Sequence, residues 1–456
     1  MPSYGGVEGE AKANGWQFGV GVMMTTPVSF EAVPIAAKLA TKPVGLMEFA
    51  RLAGRNMLEV IPIETSVETY VRGPLNIHYI CDPEIITELL VGSGRHFPKA
   101  KFTKDIIGSA VGNGLILAEG EKWRKQRQRY SPLFAARNLP LLATHFAETG
   151  IEVADSLCEG HGIVDVTQMA PASTITNISR VIFSGNEEVS AEEIRAGLKI
   201  YFEYISEISL FDLMRLPKWI PRRKWLRSKK PVTNMRILAR QVIENRREEN
   251  RDIPQDFLDL MIAALDDDYE DIATTVDNLL TFVVAGHETS ANALAWGYYL
   301  LALYPEVQTM IREEILSICP DGPVTFDDIQ KMDLLRAHIN ETLRLYPSAA
   351  FFARDAAENL TIKGITFKKG DALFFPVYSL HRNEKLWKEP NLYRPGRFLT
   401  DKFPRGQFIP FGAGPRICIG AQYAETEIMV LIASVLRKIE FSLTDVPIPR
   451  PVLTFT

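Results

Sequence analysis

The chain has 456 residues, of which 46% are hydrophobic, and a formal net charge of −5. This hydrophobic fraction supports a large folded core and excludes an intrinsically disordered protein, and the mild negative charge argues against a general nucleic-acid binder. The four cysteines lie far apart and form no C-x-x-C pair, so neither a zinc ribbon nor a disulfide framework is indicated. A reduced, cytoplasmic setting fits this cysteine usage.

The N-terminal region carries no recognisable targeting signal. Residues 1–16 are polar and rich in glycine, and the apolar patch Phe18–Met24 is too short to cross a bilayer. No stretch of about 18–20 uncharged apolar residues follows it. We therefore expect a soluble protein without a membrane anchor.

The first third of the chain alternates between strand and helix patterns. Residues 57–80 are rich in Val, Ile, Thr and Tyr and are divided by a Gly-Pro pair, which predicts a β-hairpin. Asp82 is the predicted N-cap of a helix that runs to Leu90. Residues 92–120 carry six glycines and predict a long loop, whose apolar side chains cover either the core or a ligand pocket.

A basic helix follows at Lys122–Arg129, with the sequence KWRKQRQR. Trp123 and Arg127 are four residues apart and therefore share one face of this helix. The other cations are expected to form a solvated surface.

Residues Thr274–Leu303 predict one long helix that is apolar on all sides and therefore buried. Its centre reads Ala285-Gly286-His287-Glu288-Thr289, in which glycine weakens the helix and a buried carboxylate needs partners. Such a local exception to the pattern is typical of a functional site. A kink with satisfied polar groups is the alternative interpretation.

A further helix is predicted over Lys331–Tyr346. It places Glu341 and Arg344 on one face, either as an exposed ion pair of little value or as a buried pair that needs partners. Residues 348–380 then predict strands, with turns at Lys363-Gly364 and Lys369-Gly370.

The segment Phe408–Gly420, here called the cysteine loop, leads into a last helical pattern. Its glycines permit tight turns, and Cys418 lies where the loop enters the helix. A helix start carries partial positive charge, which favours the thiolate form that binds metals. Arg416 offers a charged fork for a carboxylate. The pattern predicts a metal cofactor held by one thiolate.

With these motifs in chain order, the sequence resembles the cytochrome P-450 family, haem-thiolate monooxygenases, along nearly its whole length. The family pattern F-x-x-G-x-R-x-C-x-G is matched from Phe411 to Gly420, and the oxygen-groove pattern from Ala285 to Thr289. E-x-x-R is matched at Glu341–Arg344 and W-x-x-x-R at Trp123–Arg127. The resemblance is to soluble, bacterial-type members with a stand-alone haem domain.

The resemblance implies a mainly α fold with a smaller β-rich part and a long central helix over haem b (iron protoporphyrin IX). One domain is expected over residues 1–456, β-rich at about 57–80 and 360–380 and helical at about 82–346 and 418–437. Cys418 is then the axial ligand of the iron, a ligand type that favours cleavage of dioxygen. The other cofactor-binding residues implied are Trp123, Arg127, Arg354, Arg416, Phe411, Gly412 and Gly420.

The same resemblance assigns roles to the remaining motifs. Ala285 and Gly286 leave room for dioxygen, while Glu288 and Thr289 deliver protons during its activation. A structural ion network is implied for Glu341, Arg344 and Arg397. The family's usual P-E-R-F reads Pro-Gly-Arg-Phe at 395–398, so one interaction of that network is missing.

The expected substrate is an apolar organic molecule (a fatty acid, terpenoid or aromatic) that undergoes hydroxylation or epoxidation. The predicted pocket residues are Phe102, Ile106, Ile107, Phe282, Val283, Ala350 and Phe351. Electrons are expected from a separate NAD(P)H-linked partner, which is a ferredoxin, flavodoxin or flavoprotein reductase, and the protein is expected to be a monomer.

Other functions remain as alternatives. A dinucleotide-binding enzyme is disfavoured because Ile417 takes the place of the third glycine in G-x-G-x-x-G. A peroxide-driven haem-thiolate peroxygenase and a non-catalytic haem-based sensor are closer rivals. The adjacent acid and alcohol at Glu288 and Thr289 argue against both, since neither needs a proton relay.

Overall fold

The structure is a computed structural model, and it describes residues 36–42, 44–53, 55–160, 162–183, 197, 223–249, 254, 256–264, 272–444 and 448–453. The predictions for residues 1–16 and Phe18–Met24 lie outside these ranges. Within the described part of the chain, no helix combines the length and hydropathy needed to cross a membrane.

Helices make up most of the described residues. In chain order they are α1 (Leu46–Ala53), α2 (Pro83–Thr87), α3 (Lys101–Val111), α4 (Gly120–Tyr130), α5 (Leu139–Glu159), α6 (Val166–Phe183), α7 (Arg223–Glu249), α8 (Phe257–Ala263), α9 (Ile272–Leu303), α10 (Pro305–Ile318), α11 (Phe326–Ile329), α12 (Asp333–Leu345), α13 (Val377–Leu380), α14 (Arg397–Thr400) and α15 (Ala421–Leu436). Asp82 caps α2 as predicted, because its Oδ1 accepts hydrogen bonds from the N–H groups of Glu84 and Ile85.

The long helix α9 runs through the centre of the fold, close to its predicted bounds. It packs against α3, α6, α7, α12 and α15. Apolar side chains such as Leu279, Leu294 and Leu301 are at most 1% exposed, as expected for a helix that is apolar all round. The polar centre of α9 therefore lies inside the molecule.

The strands are β1 (Tyr70–Arg72), β2 (Ile77–Ile80), β3 (Phe352–Asp355), β4 (Leu360–Ile362), β5 (Ile365–Phe367) and β6 (Ala372–Phe375). One sheet has the order β1-β2-β6-β3, in which only the β2–β6 pairing is parallel, and β1–β2 is the predicted hairpin. β4 and β5 form a second hairpin across the predicted Lys363-Gly364 turn. Both turn residues have positive φ, +47° and +79°, as two-residue hairpin turns require.

Two predictions of local structure were wrong. Residues 57–66 form 3₁₀ turns at Met57–Val60 and Ile63–Ser66, so the β-rich part begins only at Tyr70. Pro62 between the two turns has no N–H to donate to a sheet. Residues 101–111, predicted as loop, form α3, whose apolar residues recur at helical spacing. Of the six glycines only Gly108 lies inside α3, and Gly112 terminates it with φ +52°.

Candidate active site

The cysteine loop depends on glycine at two positions. Gly412 and Gly414 have φ of +76° and +73°, which residues with side chains rarely adopt. A Cβ on Gly414 would lie 2.2 Å from the carbonyl oxygen of Leu90, so only glycine lets the loop approach the turn after α2. The N–H of Cys418 donates to the carbonyl oxygen of Phe411 at 2.9 Å, which closes the loop before α15 begins.

Cys418 lies in a recess. Its side chain is exposed, yet the protein around it is dense enough that burial raises the pKa of the thiol. A backbone hydrogen bond from Gly420 and the charges of Arg127 and Lys99 act in the opposite direction but are smaller. At the uncoordinated sulfur, the effect predicted for the helix start is therefore smaller than that of burial. Coordination to a metal deprotonates a thiol in any case.

Cations from three segments converge beside the cysteine loop. Lys99 and Arg354 pair across an isolated β-bridge. Burial, with the charges of Arg354 and Arg416 next in size, lowers the pKa of Lys99 to about 7. Burial, followed by the charge of Arg416, lowers the pKa of Arg354 to about 10. We call Lys99, Arg354 and Arg416 the cation cluster, and mutual repulsion of this kind indicates a site for an anion.

Glu119 is the carboxylate that meets this cluster. The Arg416 guanidinium donates from Nη2 to Oε2 of Glu119 and from Nη1 to the carbonyl oxygen of Ala118, both at 2.6 Å. Its central carbon lies 4.1 Å from the centroid of the Trp123 ring, which is a cation–π contact. The structure therefore brings the predicted cofactor residues Trp123 and Arg416 together.

Arg127 contacts the cysteine loop at another point. Its Nη1 donates to the carbonyl oxygen of Ile417 at 2.9 Å, and its side chain is half-buried. Two other predicted cofactor residues lie in the same loop. Gly420 is close to the Phe134 ring, 3.6 Å from where a Cβ would be, and Phe411 is half-buried against the core. The predicted W-x-x-x-R face of α4 thus lies against the cysteine loop.

The centre of α9 borders open space. Ala285 is exposed, although Val284, its neighbour in the helix, is 9% exposed. Gly286 is half-buried, and the hydroxyl of Thr289 donates to the carbonyl oxygen of Ala285 at 2.6 Å. Glu288 is half-buried and its Oε2 has no accessible surface. The four predicted groove residues therefore lie together in one stretch of α9.

A second segment joins this space from the end of α12. The Ser348 hydroxyl donates to the carbonyl oxygen of Thr289 at 2.7 Å, which holds the segment after α12 against the centre of α9. The next residue, Ala349, is exposed. Two small apolar side chains, Ala285 and Ala349, therefore provide accessible surface here.

Most of the predicted substrate pocket is packed core instead. Three of its residues are at most 5% exposed: Ile107, Val283 and Ala350. Phe282 meets three other rings edge-on, at centroid distances of 5.3 to 5.6 Å: Tyr130, Phe134 and Phe257. Little of the surface of these four side chains is accessible in this structure, and for Phe282 and Val283 the sequence of a helix buried on all sides does not tell which side faces a cavity.

The remaining pocket predictions have mixed outcomes. Phe351 stacks on Phe374 at a centroid distance of 4.6 Å and is half-buried, so part of its ring stays accessible. The side chains of Phe102 and Ile106 lie outside the described part of the structure.

The E-x-x-R pair forms a buried ion network of Glu341, Arg344 and Arg397, each at most 2% exposed. Arg344 donates five hydrogen bonds, two to the Glu341 carboxylate at 2.7 and 2.8 Å and three to backbone carbonyl oxygens. Nε of Arg397 lies 3.1 Å from Oε2 of Glu341. The pair is therefore buried rather than exposed, and Arg397 takes part without the family's usual neighbouring glutamate.

Three residues of the site were not predicted from the sequence: Lys99, Glu119 and His381. His381 connects the ion network to the cysteine loop, because its carbonyl oxygen accepts from Arg344 at 2.7 Å and its Nε2 accepts from the Ile409 N–H at 3.0 Å. Burial lowers the pKa of His381 to about 3, so the imidazole is a neutral acceptor. No local pattern marks these residues.

Comparison with known proteins places this geometry in a family. The cytochrome P-450 family model matches residues 65–454. The chain is 30% identical over 399 residues to a cytokinin hydroxylase of Arabidopsis thaliana, covering 83% of this chain and 76% of that protein. It is 28% identical over 382 residues to cyclooctat-9-en-7-ol 5-monooxygenase of Streptomyces melanosporofaciens, covering 80% of each. The crystal structure of the haem domain of cytochrome P-450DA has the same fold, with a TM-score of 0.69 at 23% identity, and the match covers 79% of this chain and 80% of that one.

A mainly helical fold in which one cysteine loop precedes a buried helix is the architecture of haem-thiolate monooxygenases. The chain belongs to the cytochrome P-450 family, whose members carry haem, and it is a monooxygenase of that family.

The residues present fit that cofactor. A haem iron needs only one protein ligand on its proximal side, and Cys418 in its recess offers a thiol that could serve as that ligand. The cation cluster suits the two carboxylates of a haem.

Proposed function

We propose that Cys418 is the axial ligand of haem b and that the cation cluster, with Trp123 and Arg127, binds the haem propionates. The observation that carries the proposal is the pairing of a single recessed thiol with three mutually repelling cations, because this combination matches both ends of a haem. One haem domain spans the chain, and the protein acts as a monomer.

The reduced protein with carbon monoxide tests the ligand. Cys418→Ser should abolish the red-shifted Soret band that thiolate ligation produces. Cys158→Ser, which changes another exposed cysteine, should leave it intact. A wild-type protein without this band would contradict the proposal.

When bound, haem supplies the oxidising chemistry that inserts one oxygen atom from O2 into a C–H bond or double bond. Ala285 and Gly286 have the smallest side chains, so they leave room beside α9 for dioxygen. The Thr289 hydroxyl donates to the carbonyl oxygen of Ala285, so its oxygen is left as an acceptor for a water molecule. Glu288 supplies the protons, which makes these two neighbours a general-acid pair.

Thr289→Ala should divert electrons into peroxide, lowering the product formed per NAD(P)H consumed on the order of tenfold or more. Thr281→Ala is the matched control, since its hydroxyl makes the same bond to the carbonyl four residues back at 2.7 Å but lies two turns away. Unchanged coupling in Thr289→Ala would contradict the proton relay, and undiminished turnover driven by peroxide alone would favour a peroxygenase.

The substrate is an apolar organic molecule such as a fatty acid, terpenoid or aromatic, which is hydroxylated or epoxidised. The exposed methyl groups of Ala285 and Ala349 and the accessible part of Phe351 support an apolar ligand. A screen of such compounds for spin-state shifts in the haem spectrum tests the class. Shifts produced only by charged, hydrophilic compounds would overturn it.

Electrons come from a separate ferredoxin, flavodoxin or flavoprotein reductase that docks on the basic face of α4. Lys122, Arg124 and Lys125 are exposed there, and the same helix contacts the cysteine loop through Arg127. Lys122→Glu with Lys125→Glu should slow reduction at low salt, whereas Lys368→Glu with Lys369→Glu, a charge change in an exposed turn of the sheet, should not. Equal rates in both double variants would contradict this docking face.

A further inference from the structure

Glu119 occupies an unusual place among the cations of the site. It immediately precedes α4, and its two carboxylate oxygens serve different segments of the chain. Oε1 accepts the backbone N–H of Lys99 at 3.0 Å and lies 3.3 Å from Nζ of Lys104. Oε2 accepts from Nη2 of Arg416 at 2.6 Å. One side chain therefore ties the segment before α3, the start of α4 and the cysteine loop together.

The contact to Arg416 determines where that guanidinium lies. With Nη2 on Glu119 and Nη1 on the carbonyl oxygen of Ala118, the planar fork is held at two points and lies over the Trp123 ring. A fork held in this way has lost most of its rotational freedom before any ligand arrives. The bonds described for Arg416 leave its Nε for another acceptor.

Glu119 also determines the net charge of the cation cluster. Within the described residues, it is the carboxylate that forms ion pairs with Arg416 and Lys104. Its charge opposes the lowering of the pKa of both Lys99 and Arg354, which shows that it acts on all three members of the cluster. It is only about one-third exposed, so solvent screens this charge incompletely.

We propose that Glu119 is the positioning residue of the haem-propionate site: it fixes Arg416 against Trp123 and lowers the positive charge that the cluster presents to the haem. This inference rests on the proposed function, because the ligand of the cluster is the haem. Glu119 touches the cations rather than the reacting atoms, so its effect is on haem retention and potential.

The test compares three single variants of the full-length, haem-loaded protein. Glu119→Gln keeps the shape and removes the charge, Glu119→Asp keeps the charge and shortens the side chain, and Glu121→Gln is the control on an exposed carboxylate two residues away. We expect Glu119→Gln to release haem to excess apomyoglobin on the order of tenfold faster, since loss of the charge-assisted hydrogen bond that holds Arg416 in place should outweigh the stronger attraction of a more positive cluster for the propionates. Its midpoint potential should become more positive, because removing a negative charge beside the haem favours the reduced iron.

Glu119→Asp should retain the wild-type potential while releasing haem at an intermediate rate, and Glu121→Gln should change neither quantity. The proposal is overturned if Glu119→Gln behaves like Glu121→Gln. It is also overturned if haem release accelerates with the potential unchanged, as general loosening of the fold would produce.

A third measurement does not depend on the haem. Amide hydrogen exchange at Lys99 should accelerate in Glu119→Ala, because that N–H loses its acceptor. A wild-type protein without the thiolate band but with this acceleration would refute the proposed function and leave the anchoring role standing. Unchanged exchange would show that Glu119 does not hold the Lys99 segment and would overturn its positioning role, whatever the spectrum shows.

Discussion

Two groups of charged residues flank the cysteine loop, and they differ in how completely their donors are used. In the ion network, every N–H of Arg344 has an acceptor, and two of the acceptors are the oxygens of one carboxylate. In the cation cluster, the one hydrogen bond described for the Arg354 guanidinium goes to the carbonyl oxygen of Ala353 at 3.1 Å. Arg344 is fully buried and all of its donors are compensated by the protein itself, whereas Arg354 is half-buried and is not.

The difference separates a structural group from a binding group. A buried arginine whose five donors are satisfied stabilises the arrangement of the chain and has nothing left to offer a ligand. A half-buried arginine with unused donors and cationic neighbours carries a free-energy cost that an anionic ligand can relieve. We call the ion network the saturated group and the cation cluster the unsaturated group, because Arg354 keeps unused donors, although Arg416 has acceptors on Ala118 and Glu119 and the Lys99 amine has one on Ile116.

The largest expected effect comes from breaking the saturated group. Arg344→Met leaves the Glu341 carboxylate buried without its bidentate partner and removes a donor from the carbonyl oxygens of His381, Pro390 and Leu392, of which Leu392 keeps only a long bond from Arg397. Loss of one partner of a buried ion pair costs about 3–5 kcal/mol of unfolding free energy. Chemical denaturation followed by circular dichroism measures the loss.

Arg336→Gln is the control for that experiment. Arg336 pairs with Glu425 at the surface, where both side chains are about 30% exposed. Its loss should cost no more than about 1 kcal/mol. Equal denaturation midpoints for the two variants would show that the ion network does not carry the stability assigned to it.

How far the sequence could predict each group follows from the same comparison. Glu341 and Arg344 lie one helical turn apart, and the cysteine loop is one continuous pattern, so both are visible in a few consecutive residues. Arg416 and Glu119 are 297 positions apart. No periodicity connects them, and only the folded chain brings them into contact.

The substrate pocket was unpredictable for a different reason. Phe282 and Val283 lie one turn or less from the exposed Ala285, yet both pack away from the open space. On a helix surrounded by other elements, every side is apolar, so the pattern carries no information about which side faces a cavity. α3 was missed because Gly108 and Gly112 resembled loop residues, although Phe102, Ile106 and Ile107 before them recur at helical spacing.

A smaller effect is expected from the unsaturated group, and it falls on haem binding rather than on the stability of the fold. Arg354→Gln should accelerate haem release on the order of tenfold, because one charged donor to a propionate is lost. The unfolding free energy of the haem-free protein should stay level or rise, because the repulsion between Arg354 and Arg416 is removed. Haem transfer to apomyoglobin and denaturation of the extracted protein measure the two quantities.

This pair of results would sharpen the contrast with Arg344→Met, which should lower stability with or without haem. If Arg354→Gln destabilises the haem-free protein as much as Arg344→Met does, the cation cluster is a structural group after all.

The smallest expected effect is a pH dependence that only the unsaturated group can produce. In the haem-free fold the pKa of Lys99 is about 7, chiefly because of burial, and in the unfolded chain it returns to about 10.4. Between these values the unfolded chain binds more protons than the folded one, so the stability of the haem-free protein rises as pH increases from about 7 towards 10. The slope cannot exceed about 1.4 kcal/mol per pH unit for one proton, and it should be smaller here because part of Lys99 remains accessible.

Denaturation midpoints at pH 7 and pH 9 should therefore differ less in Lys99→Met than in wild type, whereas the exposed Lys101→Met should retain the wild-type difference. With haem bound the difference should shrink, because propionate carboxylates restore the charged form of Lys99. An identical pH profile in Lys99→Met and wild type would mean that the amine is already compensated within the protein, and the cluster would then belong with the saturated group.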